Sequence, residues 1–226
     1  MGQTSLFEFT AEEKIPLDEV CELVYFPGWL QRDRADDIFS ELLNCTPWQQ
    51  PEIYVGGRQH KIPRLQAWYG DEGAVMAYSG KRFTPNVWTP LLQTLKLQAE
   101  SAAGVQFNSV LVNQYRDGQD SVSWHADDER ELGRNPVIGS LSLGASREFS
   151  LKPRSSGDSS AIEAQAGMGF EHGRRRTNGV KQVLHHGDFL LMCGETQHRW
   201  LHAVSKVRQS VGPRINLTFR NIIHKS

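Results

Sequence analysis

Residues 214–220 read Arg-Ile-Asn-Leu-Thr-Phe-Arg, and as a strand they alternate without a fault. Arg214, Asn216, Thr218 and Arg220 fall on one face, Ile215, Leu217 and Phe219 on the other, which is the period of two of an extended chain. Upstream, Ser-Val-Leu-Val-Asn-Gln-Tyr at 109–115 carries a similar polar stripe, Asn113 and Tyr115. Between these two stretches short strand-like runs recur: VIGSLSLG, REFSLK, VKQVLHH, DFLLMC and WLHAV. Turns separate them and no helix intervenes, a pattern that points to a sandwich or jelly roll. Residues 154–178, rich in Ser, Gly and Ala, interrupt the run and read as a long loop. The fold class is therefore mainly β with flanking helices.

Chemistry enters between the two polar stripes, at His125-Ala126-Asp127. On an extended backbone both side chains point the same way, giving an imidazole and a carboxylate, two thirds of a 2-His-1-carboxylate facial triad for Fe(II). Arginine is the natural grip for a carboxylate, so polar stripes ending in Arg214 and Arg220 beside a metal pair suggest a pocket for an anionic ligand. The simpler alternative is a half-exposed strand with a solvated face. For the third ligand, His185 and His186 precede Gly187-Asp188 and read as a turn, whereas His198 and His202 share one parity and alternation does not separate them.

Taken together, N-x-Y at 113–115, H-x-D at 125–127, a distal His within TQHRWLH and finally PRINLTFR resemble the AlkB family of Fe(II)/2-oxoglutarate dioxygenases. PRLQAWYGD and AYSG resemble the nucleotide-recognition part of its DNA-repair branch, and the match spans residues 54–221. The resemblance implies a double-stranded β-helix (jelly-roll) core over 106–226, with 1–105 forming N-terminal helices and a nucleotide-recognition lid packed on it. It selects His202, two residues after a Trp, to join His125 and Asp127 as metal ligands. It places 2-oxoglutarate against Asn113, Tyr115, Arg214, Asn216 and Arg220, with O2 as the other cosubstrate. A straight strand would separate Arg214 from Arg220 by about 20 Å, so either the strand bends or Arg220 mainly supports Asp127.

The same resemblance assigns Tyr78 to stacking on an extruded base opposite His125, with Trp68, Tyr69, Arg64 and Asp128 near it. Glu129 takes the position that reads the exocyclic amine of 1-methyladenine or 3-methylcytosine. The implied reaction is oxidative demethylation of such bases in DNA, releasing formaldehyde, succinate and CO2. An apolar hairpin tip at Tyr54 and Val55, flanked by Arg58, suits a base-unstacking element. Lys81, Arg82, Arg174, Arg175, Arg176, Lys206 and Arg208 complete the expected DNA contacts. Single-stranded DNA is the favoured partner, with duplex accepted. The same chemistry on RNA or another methylated substrate, and a non-catalytic jelly-roll binding module, are the alternatives.

Composition sets outer bounds. The 226 residues carry a formal net charge of −1, which alone does not point to nucleic acid. Its distribution is informative: acids dominate residues 1–57 and bases dominate 172–226, enough for one phosphate-facing surface. No hydrophobic run approaches membrane-spanning length, so no membrane partner is expected. Three scattered cysteines, Cys21, Cys45 and Cys193, read as reduced thiols of a cytoplasmic protein, or a nuclear one in a eukaryote, and a monomer is expected. Amphipathic helices are expected over 32–44 and 84–104.

Overall fold

Strand-period alternation over so many runs needs two sheets to bury both faces, and the computed structural model supplies them. It describes residues 12–55, 57–74, 76–78, 81–155 and 179–223. The chain order is β1 Glu13–Pro16, β2 Cys21–Phe26, α1 Arg32–Cys45, β3 Glu52–Val55, β4 Arg58–Lys61, β5 Leu65–Gly70, β6 Met76–Tyr78, β7 Lys81–Phe83 and α2 Pro90–Ala103. There follow β8 Ser109–Tyr115, β9 Val122–His125, β10 Ile138–Gly144, β11 Arg147–Pro153, β12 Val180–Leu184, β13 Phe189–Gly194, β14 Trp200–Val204 and β15 Arg214–Arg220. A seven-stranded sheet in the order β1-β2-β13-β10-β15-β8-β5 faces a four-stranded sheet β12-β11-β14-β9, the jelly-roll arrangement. Two separate hairpins, β3-β4 and β6-β7, stand beside them.

The large sheet is apolar on both faces, for different reasons. On the outer face Val110, Val112, Leu141, Leu143, Ile215, Leu217 and Phe219 meet Ala35, Ile38 and Leu42 of α1 and Leu91, Leu92, Leu95 and Ala99 of α2 in one cluster. Truncating a fully buried ring such as Phe219 to Ala would cost about 3–5 kcal/mol, the usual loss for a filled core position. On the inner face Leu23, Tyr25, Ile138, Leu190 and Met192 pack against Phe149, Leu151, Leu184, Trp200 and Val204 of the small sheet. Farther along that inner face Asn113 and Tyr115 of β8, Ser140 of β10 and Arg214, Asn216, Thr218 and Arg220 of β15 turn into the space between the sheets.

Strands from both sides of the expected boundary at 105/106 hydrogen-bond into the one large sheet: β2 pairs with β13, and β5 with β8. Glu13–Pro16 and Cys21–Phe26, from a stretch silent in sequence, thus supply an edge of that sheet. The second helix begins six residues later than the amphipathic pattern suggests. Thr89 caps it, accepting a 3.2 Å bond from Leu92 N–H, with Pro90 as the first helical residue. Both features specify a helix start. The segment before it runs extended along β5 instead, with bonds from Asn86 N–H to the Trp68 carbonyl (2.8 Å) and from Gly70 N–H to the Asn86 carbonyl (3.2 Å). That pairing covers a strand edge that would otherwise be open. All three cysteines are free thiols, and no helix among the described residues is long and apolar enough to cross a membrane.

Candidate active site

β9 and β14 are neighbours in the small sheet, and their register sets His125 directly opposite His202. The two rings lie 4.2 Å apart between centroids. Asp127, two residues past His125, completes a group whose ligand atoms all fall within 4.8 Å of one another. Each member is held from behind. His125 Nδ1 lies 2.8 Å from the Ser123 carbonyl, a contact that suits a protonated Nδ1 and leaves the Nε2 lone pair for a metal. Asp127 Oδ1 accepts a 2.6 Å bond from Arg220 Nη2, and Asp127 N–H donates to Gln197 Oε1 at 2.9 Å. The Phe149 ring packs on His202 at 5.2 Å.

Protonation states suit a divalent cation. Burial pushes the His202 pKa down to about 3, helped by the neighbouring His125, and burial lowers that of His125 as well. Both imidazoles are therefore neutral at neutral pH and offer lone pairs. Burial on its own would raise the Asp127 pKa, but the charge of the Arg220 guanidinium bonded to it is the largest influence in the other direction, and the carboxyl is held below its ordinary range. Two neutral imidazoles and one carboxylate, with a cavity beside them, form the donor set of a non-haem Fe(II) facial triad.

The cavity holds about 270 Å3 and is continuous from the triad to Arg214. Arg214 is 2% exposed and opposes Tyr115 in the β8–β15 register. Its Nη2 donates to Ser142 Oγ at 2.9 Å, while its Nε has no partner. None of the ion pairs among the described residues includes it. A buried guanidinium without a counter-charge costs several kcal/mol unless an anion reaches it, so this wall fits an exogenous carboxylate. Asn113 and Asn216 line the same wall; Asn216 Nδ2 is bonded to Ser140 Oγ (2.8 Å) and to the Leu141 carbonyl (3.1 Å).

The remaining expected residues divide. Arg220 lines the cavity at the metal end, with its guanidinium committed to Asp127, so it sits apart from the Arg214 end by most of the length of β15. Arg64, Trp68 and Glu129 line the cavity, and Arg64 is only 4% exposed, with bonds to Asn113 Oδ1 (3.1 Å) and the Ser121 carbonyl (3.3 Å). Burial, followed by the nearby Asp127 charge, pushes the Glu129 pKa up to about 7, and its Oε2 has no partner. Two of the expected residues lie outside the cavity wall. Tyr69 leaves the cavity because alternation along β5 turns it to the opposite face from Trp68, into the helix-facing core. Asp128 is not part of the cavity wall; its carboxylate turns to Arg154 Nη1 at 2.6 Å.

Tyr54 projects from the β3–β4 hairpin at 69% exposed, and Arg58 is exposed on the adjoining strand. Ile53, at the hairpin's base, is buried and lines the cavity. Lys206 and Arg208 are exposed after β14. Tyr78 and Lys81 pair through their backbones in the β6–β7 hairpin, where Arg82 opposes Ala77. The side chains of Val55, Tyr78, Lys81 and Arg82 lie outside the described residues, as do Arg174, Arg175 and Arg176 altogether.

His198 is exposed on a single helical turn, Thr196–Arg199, and its Nε2 accepts from Asn135 N–H at 3.3 Å. That turn breaks the strand on which the two distal histidines were equivalent. Sequence reasoning passed over Gln197, 0% exposed and bonded to both Asp127 and Met192, because nothing in its context marks it. It also passed over Ser140 and Ser142, although their alternation in GSLSL was a readable signal.

Residues 22–220 match the 2OG-Fe(II) oxygenase superfamily. The chain is 41% identical over 203 residues to the Alpha-ketoglutarate-dependent dioxygenase alkB homolog 3 of Bos taurus, covering 87% of this chain and 64% of that protein. It is 35% identical over 192 residues to the DNA oxidative demethylase ALKBH2 of Homo sapiens, covering 84% and 69%. The chain thus spans about two thirds of the length of these curated relatives. The solved structure of OsALKBH1 superposes with a TM-score of 0.60 at 17% identity, over 92% of this chain and 100% of that one, a likeness of fold. With a buried His-Asp-His triad and an arginine in no ion pair of the described residues lining one cavity, and a family match from the second strand to the last, the chain belongs to the 2OG-Fe(II) oxygenase superfamily.

Proposed function

We propose that the protein is an Fe(II)- and 2-oxoglutarate-dependent dioxygenase that oxidatively demethylates N-alkylated bases, 1-methyladenine and 3-methylcytosine, in DNA. The observation that carries this reading is one cavity joining the triad, an Arg214 that stands in no ion pair of the described residues, and the Trp68–Glu129 wall. The names of the relatives above, a dioxygenase and a DNA oxidative demethylase, support it.

His125, Asp127 and His202 would hold the iron, and Arg214 with Asn113, Tyr115 and Asn216 the far carboxylate of 2-oxoglutarate. Iron held there, with 2-oxoglutarate and dioxygen, supplies the oxidation that turns an N-methyl group into a hydroxymethyl group, lost as formaldehyde, with succinate and CO2 as co-products. The chain's own residues do the rest. Arg220 fixes the Asp127 carboxylate, and Phe149 packs against His202. Trp68 and His125 line the cavity, and in this reading an extruded base stacks against the His125 ring, which returns about 1–3 kcal/mol against an extrusion cost of a few. Tyr78 is the further stacking ring in this reading. A cationic methylated base beside Glu129 draws the proton from its carboxyl group, so the pocket favours a charged lesion over a neutral base.

The decisive measurement is succinate formation with and without Fe(II) and a 1-methyladenine oligonucleotide, run on matched DNA and RNA. Turnover that needs both iron and the methylated DNA supports the reading. Succinate formation indifferent to any methylated oligonucleotide would remove the nucleic-acid assignment, and none at all would leave a binding module.

A further inference from the structure

Arg147 opens β11 and is 3% exposed, yet none of the ion pairs among the described residues includes it. Asp120, whose backbone it meets, commits its carboxylate to Arg116 in bonds of 2.7 and 2.8 Å. Arg147 instead donates to three backbone carbonyls: Asp117 (3.2 Å), Asp120 (3.0 Å) and Ser205 (2.5 Å). Its Nε has no partner. Its guanidinium carbon lies 5.8 Å from the centroid of the Tyr115 ring, and that of Arg214 lies 5.2 Å from the same centroid. Two buried guanidiniums thus share one aromatic ring, and neither is in an ion pair with a carboxylate of the described residues, although the charges of Asp120 and Asp117 still favour the charged form of Arg147. Carbonyl dipoles relieve part of the cost of a buried charge but do not cancel it. A clamp for three carbonyls needs only donors; a permanent charge at that position is an addition that a dianionic ligand would answer.

We propose that Arg147 is a charge-selecting positioning residue for the cosubstrate: across Tyr115 it joins Arg214 in making this end of the cavity a two-cation site, which favours a 2-oxo diacid over a 2-oxo monoacid. Arg147 does not line the cavity, so it acts through the field it adds and through the ring it holds. This rests on the reading above that Arg214 receives the far carboxylate. A charge about 10 Å from the ligand, at an effective dielectric near 20, is worth roughly a factor of ten in affinity.

The test is calorimetric titration of the Fe(II)-loaded protein without oxygen. The ligands are 2-oxoglutarate and 2-oxopentanoate, which keeps the chelating head and chain length but lacks the far carboxylate. Arg147→Met is expected to weaken 2-oxoglutarate about tenfold while shifting 2-oxopentanoate by no more than about twofold, and Arg147→Lys to keep most of the preference. Arg147→Gln, which retains an NH2 donor for the carbonyls, is judged by the same ratio and serves if the Met variant does not fold. Equal losses for the two ligands, or no loss, overturn the proposal and leave Arg147 a loop clamp. Arg214→Met separates the two readings. If it lowers the diacid preference and the Arg147 variants do not, only this inference fails. If Arg214→Met leaves the preference intact, the assignment of the cosubstrate site fails as well.

Discussion

His202 and His198 are four residues apart, of one parity and of one chemistry, and the molecule uses them in unrelated ways. His202 is 5% exposed and faces His125 and Asp127, whereas His198 is exposed and touches a loop N–H. His202→Ala should therefore abolish both iron binding and turnover, while His198→Ala keeps most of each. Comparable losses in two folded variants would remove His202 from the triad. Burial of a neutral imidazole also ties stability to pH in the metal-free protein. The His202 pKa falls from 6.5 to about 3, so below about 6.5 the unfolded chain takes up a proton that the folded one refuses until about pH 3. The contribution is fully present above 6.5 and is lost as pH falls toward 3. Metal-free protein should thus lose stability on acidification from pH 6.5 to 4, and His202→Leu should flatten that slope by roughly one proton, measured by denaturant melts across the range. A slope unchanged by the substitution would mean that the ring is already hydrated.

At the scale of elements, α2 starts at its cap and not where its apolar stripe begins. Thr89→Ala removes the bond to Leu92 N–H and should lower stability by about 1 kcal/mol, read from denaturant midpoints, with the triad unaffected. A loss near zero would mean that Pro90 alone sets the start. The helix also shows what was legible in sequence. Trp88, Leu91, Leu92 and Leu95 have helical spacing, but Trp88 precedes the helix and bonds Asp71 Oδ1 through its indole N–H at 2.7 Å. Periodicity finds an apolar face; it does not say where a backbone turns. In β15 the alternation was complete and sufficient, because each face meets a different layer: Ile215, Leu217 and Phe219 the helices, and Arg214, Asn216, Thr218 and Arg220 the cavity. The distance argument on the same strand also held, for Arg220 supports Asp127. Gln197 and Arg147 were illegible for a common reason. The contacts that place them, Asp127 N–H for Gln197 and the Asp117, Asp120 and Ser205 carbonyls for Arg147, are backbone groups distant in sequence, and they are met only once the sheets have closed.

The whole molecule carries nearly balanced charge, unevenly spread, and its strand preference should follow from where the bases fall. An enzyme committed to duplex must fill the hole left by an extruded base and must hold the partner strand. The hairpin between β3 and β4 offers an exposed Tyr54, but the sequence joining the two strands is Gly-Gly, and Gly57 stands at φ +76, so this stretch carries no bulky wedge. After β14 the sequence AVSKVRQS supplies only Lys206 and Arg208, both exposed. Each phosphate contact that is missing flattens the salt dependence of binding, by roughly 0.9 in logarithmic slope per charge on duplex and 0.7 on single strands. The protein should therefore accept both forms and turn over single-stranded DNA faster, with Arg174, Arg175 and Arg176 as a further basic cluster that could offset the deficit. The measurement is turnover of one methylated oligonucleotide, alone and annealed to its complement, at two salt concentrations. Rising salt should depress both, and the unpaired strand should stay ahead throughout. A duplex preference that persists after Arg174, Arg175 and Arg176 are changed to Ala would show that the hairpin and the short basic run hold a partner strand without a wedge, and that the Gly56-Gly57 sequence does not set a preference for single strands.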